Sequence, residues 1–261
     1  MATEPTFDLY LFSTHEETVK SALQAGVKGI GINWEHIGKS STDGTVTHDS
    51  IDDLAKIRAI TSAPILCIIN RFSPGTEREI EDAIKGGATE ILLPMVTESS
   101  QIEKTLQWAN GRAGVGIVIE TQAALRSARQ LARYPLSRVF IGLKDLAEES
   151  RRTGKNTHIY EPIVDGTIER VRSGFKMPVG FGELTLPECG TPIPSRLLMS
   201  EMARLQCSYG VLKQAFLQDI KDKSMADEVP RIIRAIQDTF AYSQTVFGLN
   251  RRALTSMLSQ K

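Results

Sequence analysis

The chain has 261 residues, with 31 Lys plus Arg against 31 Asp plus Glu, so it offers no global charge to attract nucleic acid or an anionic membrane. Its 41% hydrophobic and 24% charged content is that of a globular protein long enough to bury a core unaided. No run of eighteen apolar residues spans a bilayer, the first residues lack the features of a signal peptide, and three scattered cysteines (Cys67, Cys189, Cys207) point to reduced thiols and a cytoplasmic setting.

Short apolar runs alternate with helical patterns along the whole chain. Phe7–Phe12 reads as a first strand and Glu16–Gln24 as a helix that stops at Ala25-Gly26. Lys28–Asn33 is the second strand, in which Gly29 and Gly31 are expected to ease close packing. A helix over Ser50–Ile60 follows, with Ser50 as its cap. Pro64–Asn70 is strand three. The helix Thr76–Lys85 carries Glu79 in capping-box spacing from Thr76 and ends at Gly86-Gly87. Glu90–Leu93 is strand four, Ser99–Asn110 a helix, Val115–Glu120 strand five, Gln122–Ala132 a helix and Arg138–Leu143 strand six. The charged run Glu148–Lys155 reads as a solvated loop, with a lid as the alternative. Tyr160–Arg172 is a weaker helix, Pro178–Phe181 strand seven, Pro194–Leu205 a helix, Tyr209–Lys213 a candidate eighth strand and Val229–Tyr242 the last strong helix.

Eight strands alternating with eight helices in this length predict an α/β fold, a (β/α)8 barrel with an extra C-terminal helical segment. An open doubly wound sheet fits the same apolar runs. No linker or composition break divides the chain. One domain is expected over residues 1–249. The tail Asn250–Lys261 is left to cap the barrel, reach a neighbouring subunit or fray.

In such a barrel the working groups follow the carboxyl ends of the strands. That rule selects Trp34-Glu35-His36 after strand two, Asn70-Arg71 after strand three, Pro94-Met95 after strand four, Glu120-Thr121 after strand five, Lys144-Asp145 after strand six and Gly182-Glu183 after strand seven. Glu120 and Asp145 close consecutive strands of a right-handed unit, which makes them neighbours at one rim. Two hard carboxylate oxygens side by side are the start of a Mg²⁺ or Mn²⁺ site. Such an ion leaves positions open for a chelating 2-oxo acid and stabilises the enolate formed when a C–C bond breaks. Arg71 offers a planar fork to the substrate carboxylate. His36 is the candidate base, working through a water. A metal-free route needs a Schiff-base lysine, and Lys144 is the lysine in reach; its other reading is a substrate-binding cation for an anionic ligand. Glu183 is a possible third rim acid that contacts substrate. Glu35 is either a partner of metal-bound water or half of a salt bridge, and Trp34 either walls the pocket or packs in the core. His15, His48 and His158 read as ordinary polar positions. Gly38-Lys39-Ser40 fails the P-loop spacing, because residue 33 is Asn.

Five stretches in order resemble the HpcH/HpaI aldolase and citrate lyase β-subunit superfamily of pyruvate/phosphoenolpyruvate barrels: Trp34-Glu35-His36, Ile69-Asn70-Arg71, Ile91–Val96, Ile117–Thr121 and Val139–Leu146. The likeness covers roughly residues 20–185. It implies a divalent metal on Glu120 and Asp145, a pyruvate-like moiety held by Arg71, and His36 as base. Members of this type cleave or form 4-hydroxy-2-oxo acids, whereas others act on acyl-CoA thioesters. Glu35-His36 looks more like the aldolase branch than the acyl-CoA lyase or thioesterase branch. The resemblance also implies a homo-oligomer, trimer or hexamer. The chain departs from the family at Gly142-Leu143-Lys144-Asp145, where Gly-Pro-Ala-Asp is usual. It departs again at Asn33, in the loop Ile37–Asp49, in the run after Asp145, and at Gly182–Gly190. These changes ring the entrance and point to an unusual substrate, or to a barrel that binds a small carboxylate without catalysis.

Overall fold

The computed structural model describes residues 6–35, 49–154 and 158–259. In chain order they form β1 (Asp8–Phe12), α1 (Glu16–Gln24), β2 (Gly29–Asn33), α2 (Ile51–Ile60), β3 (Ile65–Ile68), α3 (Thr76–Lys85), β4 (Glu90–Leu93), α4 (Ser99–Ala109), β5 (Gly114–Ile119), α5 (Gln122–Leu131) and β6 (Val139–Ile141). There follow α6 (Leu143–Arg152), α7 (Glu161–Val164), α8 (Thr167–Gly174), β7 (Val179–Phe181), β8 (Glu183–Leu184), α9 (Ser195–Arg204), β9 (Tyr209–Leu212), α10 (Gln214–Asp219), α11 (Met225–Phe240) and α12 (Gln244–Ser259). Every strand pairing is parallel, in the order β7-β6-β5-β4-β3-β2-β1-β9-β8. Strands β7 and β8 are one stave bent at Gly182, whose φ of +66 is a left-handed conformation suited to glycine. The first half of that stave bonds β6 and the second bonds β9, so the cylinder is nearly closed. This is the expected (β/α)8 barrel with an extra C-terminal helix.

Side chains alternate along each stave. The inward set, including Tyr10, Leu66, Ile68, Leu92, Val118, Tyr209 and Val211, fills the lumen with Phe12 and Phe140 packed against it. The outward set builds the larger core under the helices. Strand β2 shows why glycine is needed on a lumen face. A Cβ at Gly29 would lie 2.7 Å from the Tyr10 ring, and one at Gly31 2.4 Å from the Phe12 ring. The space those glycines vacate is filled by the aromatic rings of β1.

The amino-terminal end of the lumen is closed by an ion pair. Arg138 Nε donates to Glu90 Oε1 at 2.7 Å, and the guanidinium lies 4.6 Å from the Tyr10 ring centroid and 4.8 Å from that of Tyr209. Arg138 Nη2 also donates to the Tyr10 hydroxyl at 3.0 Å, and the Tyr209 hydroxyl donates to the Val139 carbonyl at 2.9 Å. Burial alone would lower the Arg138 pKa, but the hydrogen bond and charge of Glu90 outweigh it and the net shift is upward.

Several expectations are corrected. The charged run after Asp145 is a helix and not a solvated loop. Helix α6 spans Leu143–Arg152 and buries Leu143, Leu146, Ala147 and Ser150, a one-face pattern hidden among the charges. Strand six is accordingly shorter than expected, and Asp145 stands in the first turn of α6. Thr76 and Glu79 do not form a capping box. Gly75 caps α3, and the Glu79 carboxylate accepts from the Asn70 backbone and side-chain nitrogens, each at 3.0 Å. The single helix expected over Tyr160–Arg172 is two, α7 and α8, separated at Gly166 with φ +80. Helix α11 starts a turn before Val229 and carries Pro230 within it. Within the tail, residues 250–259 belong to helix α12. Helix α12 packs on α9 and α7, anchored by Arg251 to the buried Glu201 at 2.9 Å and by Asn250 to Ser200 at 2.9 Å. Among the described residues no helix is long and apolar enough to cross a membrane.

Candidate active site at the barrel mouth

Glu120 follows β5 on the lumen face, two residues beyond Val118, and is 3% exposed. Its position is fixed from two sides. Met95, at the end of β4, adopts φ +53, rare for a residue with a side chain, and its N–H donates to Glu120 Oε1 at 2.9 Å. Such a conformation costs about 1–3 kcal/mol and is concentrated at functional sites. On the other side, a Cβ at Gly142 would lie 2.7 Å from Glu120 Oε2. Gly142 is therefore the residue that lets a buried carboxylate lie against the start of α6, and it is also the N-cap of that helix. Asp145, half-buried, stands in the first turn of α6. The two carboxylates thus come from consecutive βα units, with Glu120 packed against the cap of the helix that carries Asp145.

The remaining expected residues are placed as follows. Arg71 is exposed, just past the Asn70–Glu79 clamp at the end of β3. Lys144 is exposed, outside the burial a Schiff-base lysine needs. Trp34 is buried in the outer core beneath the helices, which favours packing over a pocket wall. Glu35 is 4% exposed, and its backbone N–H donates to Asn33 Oδ1 at 3.1 Å. Glu183 is exposed and ion-paired with Lys213 at 3.2 Å. His15 caps α1, and His158 Nδ1 accepts from the Tyr160 N–H at 3.2 Å. His36, the expected base, lies outside the described residues, as do His48 and Lys155. Lys213 was missed in sequence. Period-two alternation from Tyr209 and Val211 was the signal that puts it on the lumen face.

The donor set suits a hard dication. Among the described residues no cluster of three or more His, Cys, Asp or Glu is placed to hold a metal. An ion at Glu120 and Asp145 would take further ligands from water and substrate, as Mg²⁺ commonly does. A buried carboxylate already aligned by a backbone N–H fits that role. A cavity of about 430 Å³ near Leu106, Gly114 and Pro135 lies at the amino-terminal end of β5, away from these groups.

No family model matches the sequence, and no curated protein matches it. Solved structures share the fold. An HpcH/HpaI aldolase from Desulfitobacterium hafniense aligns at a TM-score of 0.63 and 12% identity, covering 83% of this chain and 90% of that one. A HpcH/HpaI aldolase/citrate lyase family protein from Burkholderia cenocepacia aligns at 0.64 and 15% identity, covering 84% and 92%. RipC from Yersinia pestis aligns at 0.59 and 15% identity, covering 94% and 99%. At these identities the likeness is one of fold. Two of the three structures bear the name of the superfamily that the motifs of strands two to six resemble.

Proposed function

We propose that this chain is a divalent-metal-dependent carbon–carbon lyase of the pyruvate aldolase type, acting on a 4-hydroxy-2-oxo acid or a related carboxylate. The observation that carries this is a buried, backbone-aligned Glu120 packed against the cap of the helix whose first turn carries Asp145, at the mouth of a barrel whose fold HpcH/HpaI structures share. Glu120 and Asp145 would hold Mg²⁺ or Mn²⁺. When bound, such an ion supplies Lewis acidity to the oxygens of the 2-oxo acid.

The chain's own groups do the rest. Arg71, exposed at the rim, orients the substrate carboxylate with two parallel N–H donors. His36, assigned from sequence, takes the proton of the 4-hydroxyl. The C3–C4 bond then breaks, the hydroxyl carbon leaves as an aldehyde, and the electron pair stays on the 2-oxo acid fragment. A proton delivered to C3 of that fragment completes the products. The half-reaction is testable without knowing the aldehyde. In D2O with Mg²⁺ or Mn²⁺, pyruvate should exchange its methyl protons for deuterium by NMR, and a chelator should stop the exchange. No exchange with metal present, or exchange indifferent to chelator, overturns the proposal.

A further inference from the structure

Helix α6 carries Asp145 in its first turn and a second acid, Glu149, one turn further along. Residues four apart share a helix face, so Glu149 stands beside Asp145 on α6. Its carboxylate meets a backbone donor. Glu149 Oε2 accepts from the Gln122 N–H at 2.5 Å. On the next residue of α6, the buried Ser150 Oγ accepts from Gln122 Nε2 at 3.2 Å. Gln122 is the first residue of α5, two residues after Glu120. Its N–H is one of the donors that a helix start leaves without an intrahelical partner, and the positive end of the helix favours a carboxylate there.

The two rim carboxylates therefore stand on segments that meet twice. Gly142 lies against Glu120 at the start of α6, and Glu149 bonds Gln122 a turn later. From Glu120 to Gln122 the chain is extended through Thr121, at φ −120 and ψ 150. Two extended residues cover about 6.6 Å. Asp145 to Glu149 is four helical residues, about 6 Å. The segments run side by side over matching lengths, so a bond at their far ends fixes the gap at their near ends. The β5–α5 corner is itself anchored, because the Thr121 hydroxyl donates to the Val96 carbonyl at 2.6 Å and accepts from the Ala124 N–H at 3.0 Å. Helix α6 is held by the burial of Leu143, Leu146, Ala147 and Ser150, and apolar packing has no direction of its own. A charged hydrogen bond at its second turn supplies one. This run is also a place where the chain departs from the superfamily its strands resemble.

We propose that Glu149 is a positioning residue of the metal site. Through the Gln122 N–H it sets where α6 presents Asp145 relative to Glu120, and it does so by accepting that bond and not by its charge. This rests on the reading that Glu120 and Asp145 hold the ion.

The test is calorimetric titration of the full chain with Mn²⁺, without substrate, beside a thermal melt of each variant. Glu149→Ala should weaken Mn²⁺ binding about tenfold or more, the usual cost of losing a group that orients a ligand. Glu149→Gln keeps an acceptor oxygen without the charge, and should bind within about threefold of the unaltered protein. Gln122→Pro deletes the same bond from the other side, and decides the question if Glu149→Ala does not fold. Proline is accepted at the first helical position, and Thr121 already has the extended backbone that a following proline requires. Gln122→Pro should weaken binding as Glu149→Ala does, and the two together should cost no more than the larger alone. A lower melting temperature with unchanged Mn²⁺ affinity in these variants makes Glu149 a strut and overturns its role at the site. Glu149→Gln as weak as Glu149→Ala shows that charge near the ion matters and position does not, and overturns it too. Asp145→Ala is the control for the site itself. If the unaltered protein binds no Mn²⁺, or Asp145→Ala binds it equally well, the site reading falls and this inference falls with it. Loss on Asp145→Ala with indifference to Glu149→Ala removes Glu149 alone.

Discussion

At the amino-terminal end of the barrel, Arg138 and Glu90 meet at 2.7 Å with side chains 12% and 9% exposed, sandwiched by two tyrosines. At the carboxyl end, Arg71 and Lys144 are exposed, Asp145 is half-buried, and Lys213 pairs with a half-exposed Glu183. Both ends carry charge, but the pair at the first is largely buried whereas most of the charge at the second is exposed or half-buried. The tyrosines of the first are kept protonated, since burial pushes the Tyr209 and Tyr10 hydroxyl pKa values up. The second end leaves donors and acceptors facing water, where a ligand can reach them. Charge at the closed end ties staves together, and charge at the open end lies at the rim where the working groups of this fold class stand.

The largest effect that would break this contrast is at the closed end. Glu90→Ala leaves the Arg138 guanidinium buried without its counter-ion, and should cost about 3 kcal/mol or more in urea unfolding. Replacing both partners, with Glu90→Leu and Arg138→Met, should recover much of that loss, because two apolar groups strand no charge. A Glu90→Ala protein within about 1 kcal/mol of the unaltered one would show the ion pair to be ornamental.

The mirror experiment is at the open end. Asp145→Ala should lower metal-dependent turnover about a hundredfold or more, the several kcal/mol a Lewis acid supplies, while the urea midpoint hardly moves. Retention of full activity in the presence of chelator would remove Asp145 from the site. Gly142→Ala sharpens the same point without touching a charge. With φ −83 the backbone accepts alanine, so the effect is steric, a Cβ 2.7 Å from Glu120 Oε2. A displaced carboxylate should lower turnover about tenfold or more. Unchanged kinetics would mean that Glu120 yields freely and is not a fixed ligand.

The staves were legible because strands buried on both faces read as unbroken apolar runs, and β4 and α3 match their expected bounds residue for residue. Their rim residues followed from the barrel rule alone. What failed had local physical causes. In α6 six charged residues, from Lys144 to Arg152, masked the one face that buries Leu143, Leu146 and Ala147. Glu79 was assigned to its own helix terminus, but a rim amide, Asn70, lay across the loop with two donors to offer. Lys213 went unnoticed because a strand ending in lysine reads as an edge of polarity, although alternation from Tyr209 and Val211 puts it on the face that the rings of Phe12 and Phe140 line. The left-handed Met95 that aligns Glu120 left no mark in the sequence, since methionine carries no turn signature.

The smallest effect tests whether the open end contributes to stability at all. Helix α2 begins at this end, tied to β2 by the Asn33 N–H, which donates to Asp49 Oδ2 at 2.7 Å. Ser50 caps it in a reciprocal box: Ser50 Oγ accepts from the Asp53 N–H, and the Asp53 carboxylate accepts from the Ser50 N–H at 2.9 Å and from its hydroxyl at 2.6 Å. The Ser50 hydroxyl first, and its N–H second, hold the Asp53 carboxyl below the usual range. A carboxyl with a depressed folded pKa stabilises the fold above its unfolded value, near 4, and loses that contribution as pH falls through the folded value. Ser50→Ala should therefore cost about 1 kcal/mol at neutral pH, and the gap between variant and unaltered protein should narrow in urea titrations near pH 3, where protonation of Asp53 has already removed part of the box from both. A gap of constant size across that range would mean that the Asp53 carboxylate takes no share in the cap, and that the open end draws its stability from packing alone.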